Sequence, residues 1–308
     1  MYSISVVIPV LDEKESLPEL VSQVKAGLEP LTDTYEIIFI DDGSTDGSPE
    51  LLTDFAQKDD HVHLVQFFRN YGKAAALAEG FRYANGDIVI TMDADLQDDP
   101  GEFKGLIAKL DEGFDLVTGW KKIRHDPLSK RIPSKIANLV TRIITGVNVH
   151  DMNCGLKAYR KAVVKSLDIY GGRHRYIPAL AGQQKFRITE MVVNHRSRQF
   201  GKTKYGGSRF FHGFFDLLTI LFLSKYTQQP LHLFGMIGFL SLVLGLAIDI
   251  YVIILKYFYG ASFQKHMAAL LSGVLLIVVG VQFISLGLLG ELIAKSSHEK
   301  EKMVKRVL

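Results

Sequence analysis

The chain has 308 residues, 47% of them hydrophobic and 22% charged, which is enough for one sizeable domain and a further segment. Its formal net charge of +3 is too small to indicate a nucleic-acid partner. The single cysteine, Cys154, excludes internal disulfide bonds and indicates a reducing compartment. Because no zinc-like spacing of cysteine or histidine surrounds it, we interpret Cys154 as a plain buried thiol.

Apolar runs alternate with helical patterns through residues 1–207, which predicts an α/β fold with a mainly parallel sheet. The predicted strands are Ile4–Ile8, Glu36–Ile40, Val62–Phe67, Ile88–Met92 and Leu116–Thr118. The predicted helices are Ser16–Leu28, Pro49–Gln57, Ala74–Tyr83 and Pro100–Leu110. The first strand has no basic leader before it, so we predict no signal peptide and expect this domain in the cytosol.

A turn-rich loop, Asp41–Gly47, follows the second predicted strand. A carboxylate at such a sheet edge can bind a ribose hydroxyl or a base edge. The alternative is ordinary helix capping by Ser44, Thr45 or Asp46. The first strand is not followed by a Gly-x-Gly-x-x-Gly motif, which argues against a dinucleotide oxidoreductase, and the missing Gly-x-x-x-x-Gly-Lys motif excludes a P-loop NTPase.

Asp93 and Asp95 are the most informative residues, because they directly follow the apolar run 87–92. Two carboxylates at the tip of a buried strand supply the oxygen ligands that Mg²⁺ or Mn²⁺ prefers, and Mg²⁺ typically shares its shell with substrate phosphates. Open α/β sheets bind their ligands at this edge. The alternative is a solvated turn, since an isolated Asp-x-Asp also occurs by chance.

The C-terminal third of the chain is far more apolar than the rest. The stretches Leu231–Leu255 and Met267–Ile293 each exceed the roughly 20 residues that cross a bilayer core. Their formal charges, Asp249 and Glu291, are expected near the membrane interfaces, which favours a structural role for both.

The basic residues after Ile293 predict a cytosolic C-terminus. Two spans return the chain to its starting side, so we expect a multi-pass protein of the inner (cytoplasmic) membrane with both ends in the cytosol. The segment before the spans, residues 208–229, is predicted to be an amphipathic helix in the headgroup plane.

Three features together resemble glycosyltransferase family 2: Pro9 in the first strand, the Asp-Asp-Gly-Ser loop at 41–44, and the Asp-Ala-Asp-Leu-Gln edge at 93–97. The sequence Phe68–Lys73 and the two spans narrow the resemblance to polyprenyl-phosphate glycosyltransferases, the group of dolichyl-phosphate mannose synthases and undecaprenyl-phosphate glucosyltransferases. The resemblance covers nearly the whole chain, and it is specific for the family but not for the sugar.

The resemblance implies inverting, metal-dependent transfer of a sugar from a nucleoside diphosphate sugar to undecaprenyl or dolichyl phosphate at the cytosolic face of the membrane. UDP-glucose is the favoured donor and GDP-mannose the next, while donors of N-acetylglucosamine and of aminoarabinose derivatives also remain open. The cofactor would be Mg²⁺ or Mn²⁺. The implied organisation is a GT-A-like catalytic domain (1–207), a juxtamembrane helix (208–229) and two transmembrane helices with a short tail (230–308). The glycine-rich spans leave a homo-oligomer open.

The resemblance also assigns site residues. The nucleoside pocket would be lined by Pro9, Asp12, Glu13, Asp41 and Asp42. The metal and the diphosphate would be held by Asp93, Asp95 and Gln97. Arg69 and Lys73 are also assigned to substrate binding. Because Lys73 follows Gly72 near a predicted helix start, we expect it at the donor phosphates, and capping by Asn70 without any substrate role is the alternative. The basic loop before the membrane would contribute Arg196, Arg198, Lys202, Lys204 and Tyr205, and it departs from the family at Thr203, where serine is usual.

The acceptor in such a reaction is a phosphate monoester, which is mostly ionised at neutral pH and needs no general base. Asp151 is therefore interpreted as a residue that orients the sugar, with a plain turn residue as the alternative. A basic patch after Trp120 is expected to attract anionic headgroups and the acceptor phosphate, with Arg124 as the phosphate seat. The patch comprises Lys121, Lys122, Arg124, Lys130, Arg131 and Lys135, followed by a predicted interfacial helix at Ser134–Thr145.

Two other functions remain open. A processive polysaccharide synthase of the same superfamily would carry a Gln-x-x-Arg-Trp motif, whereas Trp120 is the only tryptophan here and lacks that context. A non-catalytic membrane scaffold with a degenerate transferase fold would not need Asp93, Asp95 or the basic loop.

Overall fold

The computed structural model describes residues 2–122, 138–139, 141–143, 145–196, 230–260 and 262–298. The chain divides into two compact units, Met1–Ile220 and Leu221–Leu308. The described part of the first unit is a seven-stranded sheet with helices on both faces. The described part of the second is a pair of long helices joined by a short turn.

The strands are β1 (Ile4–Val10), β2 (Tyr35–Asp41), β3 (Val62–Gln66), β4 (Ile88–Thr91), β5 (Leu116–Trp120), β6 (Lys157–Arg160) and β7 (Ile188–Val192). The helices are α1 (Leu17–Leu28), α2 (Ser48–Lys58), α3 (Lys73–Tyr83), α4 (Phe103–Asp111), α5 (Lys161–Ser166), α6 (Ile177–Gln183), α7 (Pro230–Tyr259) and α8 (Met267–His298). The predicted strands and the four predicted soluble helices all form close to their predicted bounds, whereas β6 and β7 were not predicted. The helix predicted over Ser134–Thr145 lies mostly outside the described residues.

The sheet has the order β3-β2-β1-β4-β6-β5-β7. β1 pairs in parallel with β2 and β4, and β2 pairs in parallel with β3. β6 is antiparallel to both of its neighbours, β4 and β5, while β5 and β7 are parallel. The prediction of an α/β fold with a mainly parallel sheet is therefore confirmed.

The carboxyl end of β1 is a point where the sheet opens. The pairing of β1 with β4 ends at Val7 and Thr91, whereas the pairing with β2 continues to Val10 and Asp41. The Met92 N–H, just after β4, donates to the Val7 carbonyl oxygen, and the Asp42 N–H, just after β2, donates to that of Val10. Alternate residues of β1 therefore face each neighbour, and Pro9 faces the β4 side beyond its last pair. A proline, which has no N–H group, therefore costs no ladder hydrogen bond there. Open α/β sheets bind ligands at such a crevice.

The strands alternate their side chains between two apolar layers. In β1, Val6 and Ile8 are fully buried against the layer of α1 and α4, whereas Val7 is buried against the layer of α3. Gly80 lets α3 approach the sheet, because a Cβ atom there would lie 2.2 Å from Val7 Cγ1. Each fully buried aliphatic side chain contributes about 1.5–3 kcal/mol, so this double layer holds the sheet edge in place.

The helices α7 and α8 are long and apolar enough to cross a membrane, each with a mean hydropathy of 2.5. The two predicted spans lie within them. The helices approach closely at glycines: a Cβ atom on Gly238 would lie 2.6 Å from the carbonyl oxygen of Gly280, and one on Gly245 the same distance from that of Gly273. Small residues permit such contact between membrane helices.

Both charged residues of the spans take part in contacts between the two helices. The carboxylate of Asp249 packs against Gly273, where a Cβ atom would overlap it. An Oε2 atom of Glu291 accepts a hydrogen bond from the Leu231 N–H at 3.4 Å, near the start of α7. These contacts support the structural interpretation of the two carboxylates.

Candidate active site

The carboxylates predicted to bind a metal are partly exposed residues of the segment that leaves β4. Along residues 92–99, burial alternates: the even-numbered residues are buried and the odd-numbered ones are partly exposed. Ala94 and Leu96 enter the apolar core, and the Ser16 hydroxyl donates to the Ala94 carbonyl oxygen at 2.8 Å. Asp93, Asp95 and Gln97 are therefore among the residues of this segment that remain partly exposed.

Asp93 lies among basic side chains. Lys73, the first residue of α3, forms an ion pair with Asp93 Oδ1. Burial alone would raise the pKa of Asp93, but the charges of Lys73 and Lys121 outweigh it and hold that pKa well below its usual range. On its other side Asp93 packs on Gly155, where a Cβ atom would lie 2.7 Å from the carboxylate carbon.

Lys73 thus has a direct contact with the predicted metal site. The residue before it, Gly72, is the N-cap of α3. The N-cap position is therefore occupied by Gly72 and not by Asn70, the residue that the capping alternative named.

The donor set fits a hard divalent cation. Asp95 Oδ1 accepts the Gln97 N–H at 3.2 Å, which holds the turn between them. No group of three or more histidine, cysteine, aspartate or glutamate side chains converges in the part of the chain that the structure describes. Two carboxylates and one amide oxygen form the kind of incomplete, all-oxygen set that Mg²⁺ or Mn²⁺ completes with water and substrate phosphates, and we propose Asp93, Asp95 and Gln97 as these ligands.

A buried ion pair that the sequence analysis missed supports this segment. Asp98 Oδ1 lies 2.9 Å from Lys121 Nζ, and the two side chains are 0% and 11% exposed. Asp98 Oδ2 also accepts the Asp93 N–H at 3.1 Å. Although burial opposes it, the Asp98 carboxylate raises the pKa of Lys121.

The expectation that Lys121 belongs to a headgroup-attracting patch is therefore wrong, because Lys121 points into the protein and neutralises Asp98. Lys122 is exposed and lies 5.7 Å from the Trp120 ring centroid. The other members of the patch, including the proposed phosphate seat, lie outside the described residues: Arg124, Lys130, Arg131 and Lys135.

The carboxylates at the end of β2 have backbone partners. Asp42 accepts the N–H groups of Tyr71 and Gly72, at 2.7 Å and 2.9 Å. Burial raises the pKa of Asp42, and these two hydrogen bonds oppose that shift. Asp41 Oδ1 accepts the Ser44 N–H at 3.0 Å, while its Oδ2 is buried and has no hydrogen-bond partner among the described residues.

The neighbouring residues of the predicted nucleoside pocket are joined in the same way. Asp12 Oδ1 accepts the Thr45 N–H at 2.7 Å, and Glu13 donates its N–H to the Ser48 hydroxyl at 3.2 Å. Asp46 Oδ1 accepts the Ser48 N–H at 3.0 Å in the first turn of α2. The capping alternative therefore holds for Asp46, while Asp41 and Asp42 have other partners.

The loop after β3 presents aromatic and basic side chains. The Arg69 guanidinium lies 4.8 Å from the Tyr71 ring centroid, and the Phe68 side chain is fully exposed. A Cβ atom on Gly43 would lie 2.5 Å from the backbone of Arg69, and the φ angle of Gly43 is +75°. Only glycine combines that conformation with so close an approach, so this loop and the loop after β2 are packed as one unit.

Asp151 is buried rather than exposed to the crevice. Its Oδ1 accepts the Asn153 N–H at 3.3 Å, and its carbonyl oxygen accepts from the Thr118 hydroxyl at 3.3 Å. The turn that it organises leads to Cys154 and Gly155, and Gly155 contacts Asp93. The buried thiol is confirmed, and burial raises the pKa of Cys154 to about 12.

A narrow polar cavity behind Asp93 was not predicted. Its lining includes Lys73, Thr91, Lys157 and His174. The ammonium of Lys157 is buried and donates to the Cys154 carbonyl oxygen, and burial lowers its pKa. Burial, with the nearby charge of Lys73, lowers the pKa of His174 to about 4. No local pattern signals this cavity, because its lining residues are distant in sequence.

Of the predicted basic loop, only Arg196 lies within the described residues, and it contacts the segment that follows β4 at Gln97 and Asp99. Its guanidinium is 2.8 Å from Asp99 Oδ1, and its N–H donates to the Gln97 carbonyl oxygen at 3.0 Å. The side chain of Gln97 donates to the Arg196 carbonyl oxygen at 3.4 Å. The other residues of that loop lie outside the described part: Arg198, Lys202, Lys204 and Tyr205.

Residues 5–168 match the model of the family described as "Glycosyl transferase family 2". The chain is 40% identical to the undecaprenyl-phosphate 4-deoxy-4-formamido-L-arabinose transferases of Salmonella paratyphi A and Salmonella dublin. Each alignment covers 95% of this chain and 88% of the relative.

Among solved structures, the chain is similar to the glucosyl-3-phosphoglycerate synthase of Mycobacterium tuberculosis. The complex with phosphoglyceric acid gives a TM-score of 0.56 at 21% identity, over 72% of this chain and 80% of that chain. The complex of the same protein with Mn²⁺, UDP-glucose and phosphoglyceric acid gives a TM-score of 0.55 at 20% identity, over 71% and 80%. At this identity the likeness supports the fold, which is that of the GT-A transferases.

Proposed function

The chain belongs to glycosyltransferase family 2, and we propose that it transfers a sugar from a nucleoside diphosphate to a polyprenyl phosphate such as undecaprenyl phosphate. The observation that carries the proposal is the 40% identity to undecaprenyl-phosphate transferases over 88% of their length. The charges at the sheet opening support it, because Asp93, Asp95 and Lys73 are suited to a diphosphate and a cation.

The sugar is a separate proposal. We infer that a nucleoside diphosphate carrying 4-deoxy-4-formamido-L-arabinose should be tested first, because the relatives named above transfer that sugar. UDP-glucose, the donor favoured by the family resemblance, is tested next, and GDP-mannose after it.

The leaving diphosphate gains negative charge as the glycosidic bond breaks, and stabilising that charge is the main catalytic task. A divalent cation held by Asp93, Asp95 and Gln97 would supply Lewis-acid stabilisation there. Arg196 is held beside Gln97 and adds a guanidinium that is suited to paired phosphate contacts.

The acceptor phosphate is its own nucleophile, because a phosphate monoester has a second pKa of about 6. Direct attack by this oxygen on the anomeric carbon inverts its configuration. A general base is not required, and the burial of Asp151 supports a role through the turn that contacts Asp93.

We propose that α7 and α8 anchor the protein in the membrane, with residues 1–207 and both chain ends in the cytosol. Residues 208–229 and Arg124 are proposed to meet the headgroup region, where the lipid phosphate lies. This placement brings the acceptor to the enzyme along the bilayer surface.

The test is release of nucleoside diphosphate when the purified full chain is given a donor, Mg²⁺ or Mn²⁺, and undecaprenyl phosphate. The Asp95→Asn variant should lose at least about 100-fold of its turnover, because one cation ligand is weakened. Asp54→Asn, which changes an exposed carboxylate paired with Lys58, should keep full activity. Turnover that persists in Asp95→Asn would refute the metal assignment.

The acceptor is tested separately with phosphate-free undecaprenol. We expect no transfer to the alcohol, because it is not ionised at neutral pH and would need a general base that the phosphate acceptor does not need. Equal transfer to the alcohol would overturn the acceptor proposal. Donor binding without any transfer would favour the scaffold function instead.

A further inference from the structure

The carboxylate proposed to bind a divalent cation already has a cationic partner. Lys73 contacts Asp93 Oδ1 as an ion pair. Two more ammonium groups, those of Lys121 and Lys157, lie close enough to lower the pKa of Asp93, whose largest opposing influence is its own burial. A cation that approaches Asp93 therefore enters a region of positive charge.

Two of these three lysines are held in place. Lys157 is 3% exposed and donates to the Cys154 carbonyl oxygen. Lys121 is 11% exposed and neutralises the fully buried Asp98. Moving either ammonium would leave a buried charge or a buried acceptor without its partner, which is costly.

Lys73 differs from the other two. Its side chain is 31% exposed, and it begins α3 directly after Gly72, which has a φ angle of +92° and open space around it. A long side chain at a helix start can reorient by rotating about its own bonds, without moving the sheet. Lys73 is therefore the most exposed of the three, and its ammonium is the one that can turn toward a bound ligand.

We infer that Lys73 and the divalent cation exchange partners: the cation takes the Asp93 oxygen, and the Lys73 ammonium moves to an oxygen of the donor diphosphate. No covalent bond changes in this step. The inference rests on the proposed function, since it needs a diphosphate to receive the lysine. It gives Lys73 a role that neither a permanent phosphate contact nor a structural ion pair would have.

The exchange couples the two ligands. Without nucleotide, a cation that binds Asp93 must displace the Lys73 ammonium. The ammonium groups of Lys73, Lys121 and Lys157 then no longer have the Asp93 carboxylate as a counter-charge. With nucleotide, the diphosphate oxygens accept the displaced ammonium and complete the shell of the cation. By thermodynamic linkage, the nucleotide then raises the affinity for the cation by the same factor as the cation raises the affinity for the nucleotide.

The test is equilibrium binding of Mn²⁺ to the full chain in detergent, followed by the electron paramagnetic resonance signal of free Mn²⁺, with and without UDP or GDP. In the unmodified chain we expect nucleotide to tighten Mn²⁺ binding at least about tenfold. In Lys73→Met, Mn²⁺ alone should bind at least about tenfold more tightly than to the unmodified chain, because the competing ammonium is gone. The factor by which nucleotide increases the affinity for Mn²⁺ should be correspondingly smaller in Lys73→Met than in the unmodified chain.

Two variants control for charge and shape. Lys73→Arg keeps a cation at this position and should bind Mn²⁺ alone as weakly as the unmodified chain. Lys58→Met removes an exposed lysine paired with Asp54 and should change neither affinity. Lys73→Gln replaces Lys73→Met if the methionine variant does not fold, as judged by its melting temperature.

The outcomes separate the inference from the proposed function. If Mn²⁺ binds the unmodified chain equally well with and without nucleotide, or if Lys73→Met leaves the affinity for Mn²⁺ alone unchanged, the exchange is overturned while donor binding stands. If neither nucleotide binds any variant in the presence of Mn²⁺, the proposed function fails and the exchange fails with it.

Discussion

Two loops, at the ends of the two strands that flank β1, use the same residue type in opposite ways. At the end of β2, Asp41 and Asp42 accept hydrogen bonds from backbone N–H groups. At the end of β4, the side chains of Asp93, Asp98 and Asp99 each face a lysine or an arginine. Both loops are rich in aspartate, and both lie at the carboxyl edge of parallel strands.

The difference lies in what the partners can do. A backbone N–H cannot leave its place without unfolding the loop, so the carboxylates at β2 determine the shape of the loop. A side-chain ammonium or guanidinium can be replaced by another cation, so an exposed pair such as Asp93 and Lys73 can be remade around a ligand. We therefore expect the β2 loop to keep its conformation when ligands bind, and the Asp93–Lys73 ion pair of the β4 loop to exchange partners.

The largest effect is expected for the buried ion pair of Asp98 and Lys121, which should be fixed in place and not exchangeable. Asp98→Asn keeps an oxygen for the Asp93 N–H but leaves the buried Lys121 charge without its partner. We expect a loss of about 3–5 kcal/mol in the free energy of unfolding. The fluorescence of Trp120, the only tryptophan in the chain, reports the transition.

The double variant Asp98→Asn/Lys121→Met is the control for this prediction. Because both charges are then gone, most of the stability should return. A single variant as stable as the unmodified chain would mean that the pair is as replaceable as Lys73.

A smaller loss in the free energy of unfolding is expected when the β2 loop is altered. Asp42→Ala removes the acceptor of the Tyr71 and Gly72 N–H groups, and we expect about 1–3 kcal/mol of destabilisation for leaving them unpaired. Nucleotide affinity measured by calorimetry should fall with it, because the loop after β3 loses its anchor. The control Asp54→Ala, on the exposed face of α2, should change neither the stability nor the nucleotide affinity. Unchanged nucleotide binding in Asp42→Ala would contradict the view that a rigid β2 loop helps to form the nucleotide site.

The position of the exchangeable carboxylate is tested by Gly155→Ala. The new methyl group would lie 2.7 Å from the Asp93 carboxylate carbon, so the carboxylate must shift. We expect joint binding of Mn²⁺ and nucleotide to weaken about tenfold, or about 1.4 kcal/mol, with a small change in melting temperature. Gly235→Ala in α7, whose methyl group meets only the side chain of Leu231, serves as the control. Equal affinities in both variants would show that Asp93 tolerates the displacement.

The smallest effect concerns pH. Burial, together with the charges of Lys73 and Arg175, lowers the pKa of His174 to about 4, against about 6.5 in an unfolded chain. Between these values the unfolded chain binds a proton that the folded one does not, so stability falls as the pH drops from about 6.5 toward 4.

The melting temperature of the unmodified chain should therefore fall more between pH 7 and pH 5 than that of His174→Gln. The difference should correspond to about 1 kcal/mol, since the site is only partly screened from water. Parallel pH curves for the two proteins would show that His174 is not held neutral by its surroundings.

Much of the fold was readable from local pattern. The strands that flank the crevice are continuous apolar runs such as Ile88–Met92, because a strand covered on both faces has no polar side. The short strands β6 and β7 were missed, since Lys157–Arg160 and Ile188–Val192 carry polar residues and little periodicity. Their place in the sheet depends on pairing with strands distant in sequence.

The candidate site, like the fold, was predictable from the sequence only in part. The sequence was sufficient to place Asp93 and Asp95 directly after a buried strand, and to identify two apolar helices long enough for a membrane. It could not indicate that Asp93 pairs with Lys73, that Asp98 neutralises Lys121, or that Asp42 holds the neighbouring loop.

Those partners were decided by the folded chain. An aspartate has the same local signature whether its oxygens meet a backbone N–H, a buried lysine or a bound cation. Which of these it meets depends on the strand order and on the helices that cover the sheet. Distance in space determines the electrostatic partner, and only tertiary packing brings residues such as Asp98 and Lys121 within 2.9 Å.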